Sequence, residues 1–268
     1  MSGRCKMMRK NFLREKLEAG KAVIGTWSVI PSAVTADIIS AAGVDFVLID
    51  MEHGPISFET AQEMIIACES RNVSAGIRVP GVKESDILKA LEIGAHCLHI
   101  PNINGAAELK EAVACAKYPP AGKRGFSPFT RAGGYTHENA QKLVSLANKS
   151  VLLAAHLKGR DALKHIDEIL GVKELDIVFV GLYDISKSLG IPGEVNNPKV
   201  VNILKGLAKE INRAKKYSGT IVTNSAQMEE YINLGIRYIT CSVDCEIIHR
   251  GYEQVVQTFS KILQHRGK

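Results

Sequence analysis

Basic residues never run longer than two in this 268-residue chain, and its few aromatics are not interleaved with them. The footprint of a nucleic-acid binder is therefore missing, although 34 basic against 28 acidic residues leave a net charge of +6. Scattered surface lysines account for that excess, and a mild positive bias suits small anionic substrates. No apolar run is long enough to span a bilayer as a helix, and the basic N-terminus, MSGRCKMMRKNFLREKL, lacks the apolar core of a signal peptide. Cysteine is sparse too. The six (Cys5, Cys68, Cys97, Cys115, Cys241, Cys245) form no Cys-x-x-Cys pair, so a zinc site lacks its spacing and the thiols read as reduced core residues. No GxGxxG follows the first strand-like run and no Walker loop occurs, which removes the usual nucleotide-binding signatures. These absences predict a cytoplasmic protein with neither nucleic acid nor membrane as partner.

What the chain does have is a large apolar fraction, 46% against 23% charged, arranged in an alternation. Short doubly apolar runs, AVIGTWSVI, FVLIDME, SAGIRVP, CLHIPNI, VLLAAHL, LDIVFVG, GTIVT and YITCSVD, read as strands buried on both faces of a parallel sheet. Helical patterns follow each, with Ser57 and Ser225 as starting caps and glycines at several ends. Eight such units close a (β/α)8 TIM barrel more naturally than they fill an open sheet. The expected organisation is α/β, one barrel domain over residues 1–268, with residues 1–20 as an N-terminal helical extension. The longest stretch without an element is Tyr118–Asn139, rich in Pro, Gly and Arg, and loops of that length in a compact domain are usually functional or disordered.

In a barrel the C-terminal ends of the strands carry the chemistry. Strand two ends in Asp50, Glu52 and His53, strand three in Arg78, and Asn102 lies at the end of strand four. His156 and Lys158 end strand five, Gly181 to Asp184 follow strand six, and Asp244 ends strand eight. Taken singly, Arg78 has a minority reading as a structural ion-pair partner, Asp184 reads equally as a helix N-cap, and Tyr183 and Asp244 lean structural. Their convergence on one rim favours a site. An arginine fork holds a carboxylate, an aspartate binds a divalent cation, and a histidine beside an acid moves protons near neutral pH. That combination fits enolate chemistry on a 2-oxo acid, making or breaking a C–C bond.

The stretches VLIDMEHGP, GIRVP, ALEIGAHCLHIPNI, AKYPPAGKRGFSPFTRAGGY and DIVFVGLYDISKSLGIPG resemble the HpcH/HpaI family of metal-dependent, class II pyruvate aldolases, in order from about Ile24 to Ile262. The resemblance implies an aldehyde-lyase that cleaves a 2-oxo-4-hydroxy acid reversibly to pyruvate and an aldehyde. It also implies a TIM barrel built into a homo-oligomer (a hexamer, or trimer of dimers) whose subunits exchange their last helix. By the same resemblance His53 matches the catalytic histidine and Asp50 the acid that orients it. Arg78 matches the arginine for the pyruvate carboxylate and ketone side. Glu92 matches an acid that completes the histidine relay across a subunit contact. Asp184 matches a ligand of a divalent metal (Mg2+, Mn2+ or Co2+), the backbone of Leu182, Tyr183 and Asp184 matches the substrate-carboxylate cradle, and Arg131 matches an arginine at the aldehyde end.

One position departs. The family's fifth strand ends in Gln-x-Glu, with the glutamate a second metal ligand, where this chain has His156 and Lys158. An ammonium has no lone pair to offer a cation and repels it. Three outcomes stay open: His156 and Asp184 still bind a metal with waters, or Lys158 itself stabilises the enolate by charge or Schiff base. In the third the barrel has another role, such as oxaloacetate-type decarboxylation or binding of a small acid without turnover.

Overall fold

Strands rich in Val, Ile and Leu, apolar on both sides, must be covered on both sides, and here they are. The computed structural model describes residues 10–138, 140–157 and 159–266. Its strands are β1 (Val23–Ser28), β2 (Phe46–Asp50), β3 (Ser74–Arg78), β4 (Cys97–Ile103), β5 (Leu152–Leu157), β6 (Ile177–Val180), β7 (Tyr217–Val222) and β8 (Tyr238–Val243). They pair in parallel in chain order, and β8 pairs back onto β1, so the sheet closes into the (β/α)8 barrel that the sequence pattern predicts.

Two apolar layers result. Trp27, Phe46, Leu48, Cys97, Phe179 and Tyr238 fill the inside of the barrel, and Leu13 and Leu17 of α1 (Phe12–Glu18) join that cluster. Asn11, the cap of α1, donates to the carbonyls of His96 (2.8 Å) and Ser150 (2.7 Å), both just ahead of strands, so α1 plugs the N-terminal end. The outer layer lies between the strands and α2 (Ala33–Ala41), α3 (Phe58–Ser70), α4 (Glu84–Glu92), α5 (Ala106–Ala116), α6 (Ala140–Ser150), α7 (Gly159–Lys164), α8 (Ile166–Leu170), α9 (Leu182–Ser188), α10 (Pro198–Arg213) and α11 (Ser225–Asn233). Ser57 caps α3 as expected, but Asn224, not Ser225, caps α11. The α6 helix buries only Leu143 and Ala147 along its length, too thin a stripe to show in the sequence pattern.

The last helix, α12 (Asp244–Arg266), behaves differently. Asp244 anchors it, accepting from the Ser28 hydroxyl (2.7 Å) and from the N–H groups of Val29 and Ile30 (3.1 Å each). Beyond that first turn, residues 247–265 are exposed, including Ile248, Tyr252, Val255, Phe259 and Ile262, which recur at helical spacing. Val34 and Ile38, one turn apart on α2, are also left 68% and 65% exposed. Among the described residues no helix is long and apolar enough to cross a membrane.

Candidate active site

The chain delivers its polar groups to the mouth by ending apolar strands on them. Asp50 closes β2 and is 3% exposed, and the parallel register sets it beside Arg78, the last residue of β3. The arginine grips it with both edges of its fork, Nε to Oδ1 at 2.9 Å and Nη2 to Oδ2 at 2.6 Å. The third guanidinium nitrogen, Nη1, faces Glu52 Oε2 at 3.3 Å, and the Asn102 amide donates to Glu52 Oε1 at 2.7 Å. Asn102 reaches back because its backbone is left-handed, with φ +59, a conformation asparagine tolerates better than most residues. The Arg78 guanidinium carbon also lies 4.3 Å from the centre of the Trp27 ring. Two of the five guanidinium N–H groups thus bond Asp50 and Nη1 makes an ion-pair contact with Glu52, leaving at least two N–H groups for a ligand.

Asp50 treats His53 differently from what the resemblance implies. Its Oδ1 accepts from the main-chain N–H of Glu52 (3.1 Å) and of His53 (3.3 Å), and its remaining capacity goes to Arg78. The carboxylate therefore fixes the turn from which His53 projects, and no hydrogen bond joins it to the imidazole among the described residues. The His53 ring is exposed at the mouth.

Across the barrel, β6 ends at Val180 and Gly181 opens α9. Leu182 is buried in the outer core, so only its main chain is available to the mouth, whereas Tyr183 and Asp184 are exposed. The Asp184 carboxylate folds back over Gly181, its Oδ2 lying 2.9 Å from where a Cβ would sit.

Beneath the mouth lies a buried polar chain that reading strand ends alone does not reveal. His156 Nε2 and His99 Nδ1 are 2.8 Å apart, and His99 Nε2 is 2.8 Å from the Tyr238 hydroxyl. Phe179 stacks on His156 with ring centres 4.6 Å apart, and Trp27 meets its edge at 5.6 Å. Burial pushes the His99 imidazole down to about 3, helped by the charge of Arg78. Burial, with His99 and Arg78 as neighbours, holds His156 well below its ordinary value. Both rings are neutral. The signal in the sequence was alternation: Cys97 and His99 in CLHIPNI sit two apart and face inward.

Two expected site residues sit elsewhere in the chain. A helix following a strand runs back down, so Glu92 at the end of α4 lies at the N-terminal face, where it accepts from Arg124 Nη2 at 2.7 Å. Arg131 is there as well, its fork on Glu69, a residue of the last turn of α3. The loop carrying Arg124 and Arg131 shapes a cavity of about 240 Å³ at this face, with Asn11, Glu69, His96 and Tyr135. Within one chain, then, Glu92 and Arg131 do not join His53, Arg78 and Asp184. Lys158 lies outside the described residues.

The donor set does not fit a divalent cation. Asp184 contributes one carboxylate, His156 Nε2 is spent on His99, and the next strand-end residue in sequence is an ammonium. Among the described residues no three His, Cys, Asp or Glu side chains gather as ligands.

This geometry can be set beside known proteins. The family model described as HpcH/HpaI aldolase/citrate lyase matches residues 24–250. The chain belongs to that family. A 4-hydroxy-2-oxo-heptane-1,7-dioate aldolase of Salmonella typhimurium is 30% identical over 251 residues, covering 93% of this chain and 95% of the relative. A pyruvate aldolase of Rhizobium etli is 31% identical over 250 residues, covering 93% and 98%. Among solved structures, an HpcH/HpaI aldolase from Desulfitobacterium hafniense superposes with a TM-score of 0.87 at 28% identity, covering 92% of this chain and 96% of that one. The citrate synthase SbnG does so with 0.86 at 25%, covering 94% and 98%.

Proposed function

We propose that this member of the family is a cytoplasmic carbon–carbon lyase, cleaving a 2-oxo-4-hydroxy acid reversibly into pyruvate and an aldehyde through an enolate. The observation that carries this reading is the Arg78 fork. It is held rigid by Asp50 and Glu52, and it keeps two N–H groups for the carboxylate and ketone oxygens of a 2-oxo acid. The main chain from Leu182 to Asp184, at the start of α9, is the second hold on that carboxylate. His53, projecting from the turn pinned by Asp50, takes the proton from the 4-hydroxyl as the C–C bond breaks and returns it in the reverse direction. In sequence, the residue after β5 is Lys158, a basic residue where the family pattern has an acid. The free thiols of Cys68, Cys97 and Cys115, all buried, suit a reducing compartment.

The enzyme works as a homo-oligomer, and two observations support this. The apolar stripe of α12 and the bare Val34 and Ile38 on α2 are complementary surfaces that exchange of α12 between subunits would cover. Glu92 and Arg131 reach a mouth only if it belongs to another copy. The similarity to a citrate synthase favours a second reading, in which the same enolate attacks a different carbonyl or arises by decarboxylation of oxaloacetate.

Exchange of the pyruvate methyl protons in deuterated water, with and without Mg2+, Mn2+ or Co2+, tests the common step. No exchange under any of these conditions sinks both readings. Oxaloacetate consumption that needs no aldehyde selects the second. Loss with EDTA would point to an external cation, and trapping by borohydride to Lys158.

A further inference from the structure

Each group in the chain beneath the mouth has one proton to give, and following those protons from the bottom gives a direction. Tyr238, the first residue of β8, is fully buried beside the Cys97 thiol. Its hydroxyl has two neighbours able to accept a proton: His99 Nε2 at 2.8 Å, a strong acceptor, and a thiol sulfur, a weak one. A buried O–H left with only sulfur forfeits most of a hydrogen bond. The hydroxyl therefore donates to His99 Nε2. A neutral imidazole carries one N–H, so the proton of His99 is on Nδ1 and is donated to His156 Nε2. By the same count, the proton of His156 is on Nδ1. That nitrogen belongs to a side chain 7% exposed, near the C-terminal end of β5 and within the field of the Arg78 charge, and it has no hydrogen-bond partner among the described residues.

Resting on the aldolase reading above, we infer that His156 is a catalytic residue, a neutral Nδ1–H donor to the oxygen that becomes the enolate, and that His99 and Tyr238 are positioning residues that set its tautomer. The donor replaces part of the charge stabilisation that a cation would supply, in a chain whose donor set does not fit one. It does not release its proton. If His156 gave up Nδ1–H and each partner shifted one proton along, the deficit would end as a buried thiolate on Cys97, whose thiol burial already holds well above its ordinary value. The enolate oxygen thus keeps its negative charge, shared between the His156 N–H and the free N–H groups of Arg78, until carbon is protonated or attacks the aldehyde.

The test uses the full-length protein with nitrogen-15 histidine, and reads which ring nitrogen is protonated by solid-state NMR near pH 7. His156 is identified by its stacked contact with the Phe179 ring, 4.6 Å between centres against 6.1 Å for His99. The expected spectrum has His156 protonated at Nδ1 and bare at Nε2, with Tyr238→Phe populating the opposite tautomer. In pyruvate proton exchange, His156→Leu should lower kcat about 10²- to 10³-fold with KM changed less than about threefold. His156→Gln, whose amide offers an N–H, should stay within about tenfold of wild type, and Tyr238→Phe should lose about tenfold in kcat. A wild-type His156 protonated at Nε2, or a His156→Leu variant with undiminished kcat, overturns the inference. A wild type with the Nδ1–H tautomer and no pyruvate exchange keeps the donor array and overturns the aldolase reading instead. The wild-type tautomer is read without any variant, so a substitution that fails to fold does not block the decision.

Discussion

The two ends of the barrel handle buried charge in opposite ways. At the mouth, all four oxygens of Asp50 and Glu52 have partners: Arg78, Asn102 and the turn N–H groups. At the N-terminal face, Glu92 and Arg124 share one hydrogen bond, yet Glu92 Oε2 and Arg124 Nε are buried with no partner among the described residues. Buried polar atoms are normally satisfied, and one left over costs about 1–3 kcal/mol. The mouth is finished within one chain and the other face is not.

The sharpest way to break the comparison is to unpick the finished end. Arg78→Met should abolish pyruvate proton exchange, a loss beyond about 10³-fold, because the substrate hold and the cradle go together. It should also destabilise the fold by about 3–5 kcal/mol in urea melts, since Asp50 is left as an unpaired buried carboxylate. Retained exchange in this variant would remove the fork from the mechanism.

A mixing experiment sharpens the other side. His53→Ala spoils the mouth and Glu92→Gln spoils the opposite face, and each alone should cost at least about 10²-fold in activity. Co-expressed in equal amounts, the two should recover about a quarter of wild-type sites, those pairing an intact mouth with an intact face from another chain. No recovery from folded, co-purified variants would place Glu92 outside any shared site.

Acid should affect the interior more than either end. His99 has its imidazole down at about 3, against 6.5 when unfolded, and His156 is lowered in the same direction. Above pH 6.5 both states are neutral and the pair costs nothing. As pH falls from 6.5 toward 3, the unfolded chain takes up protons that the folded barrel refuses, so stability drops. Each ring contributes a slope approaching about 1.4 kcal/mol per pH unit in that window. Urea melts between pH 7 and 4.5 should show the slope, and replacing both rings with apolar residues should flatten it. An unchanged slope would mean that the rings are hydrated and charged in the fold.

The barrel was legible because its strands are apolar on both faces, a pattern no other element reproduces at that length and spacing. The strand-end placement of Asp50, His53, Arg78 and Asp184 was legible for a related reason: polar residues stand out where apolar strands stop. His99 and Tyr238 were hidden because a histidine inside an apolar run looks like any satisfied core residue, and its partner lies 139 positions away. The placement of Glu92 and Arg131 was hidden differently. Sequence order puts them near the site residues, while the reversal of direction in every β/α unit carries them to the far face. The swap of Asn224 for Ser225 as the α11 cap reflects two adjacent residues of equal capping power, which only the backbone torsions separate.

The smallest effect expected concerns Asn102, which joins the mouth's network through an uncommon backbone. Asn102→Ala removes the amide that donates to Glu52 and leaves a Cβ at φ +59, so both losses add, to about 2 kcal/mol. Asn102→Gly removes the same hydrogen bond but welcomes the left-handed conformation, so it should cost about 1 kcal/mol or less. In both, Glu52 turns freer and competes more for Arg78 Nη1, and KM for pyruvate should rise a few-fold with little change in kcat. Paired urea melts measure the first difference. Equal destabilisation by the two variants would mean that the backbone at 102 relaxes out of the left-handed region, and that the amide alone holds this corner of the mouth.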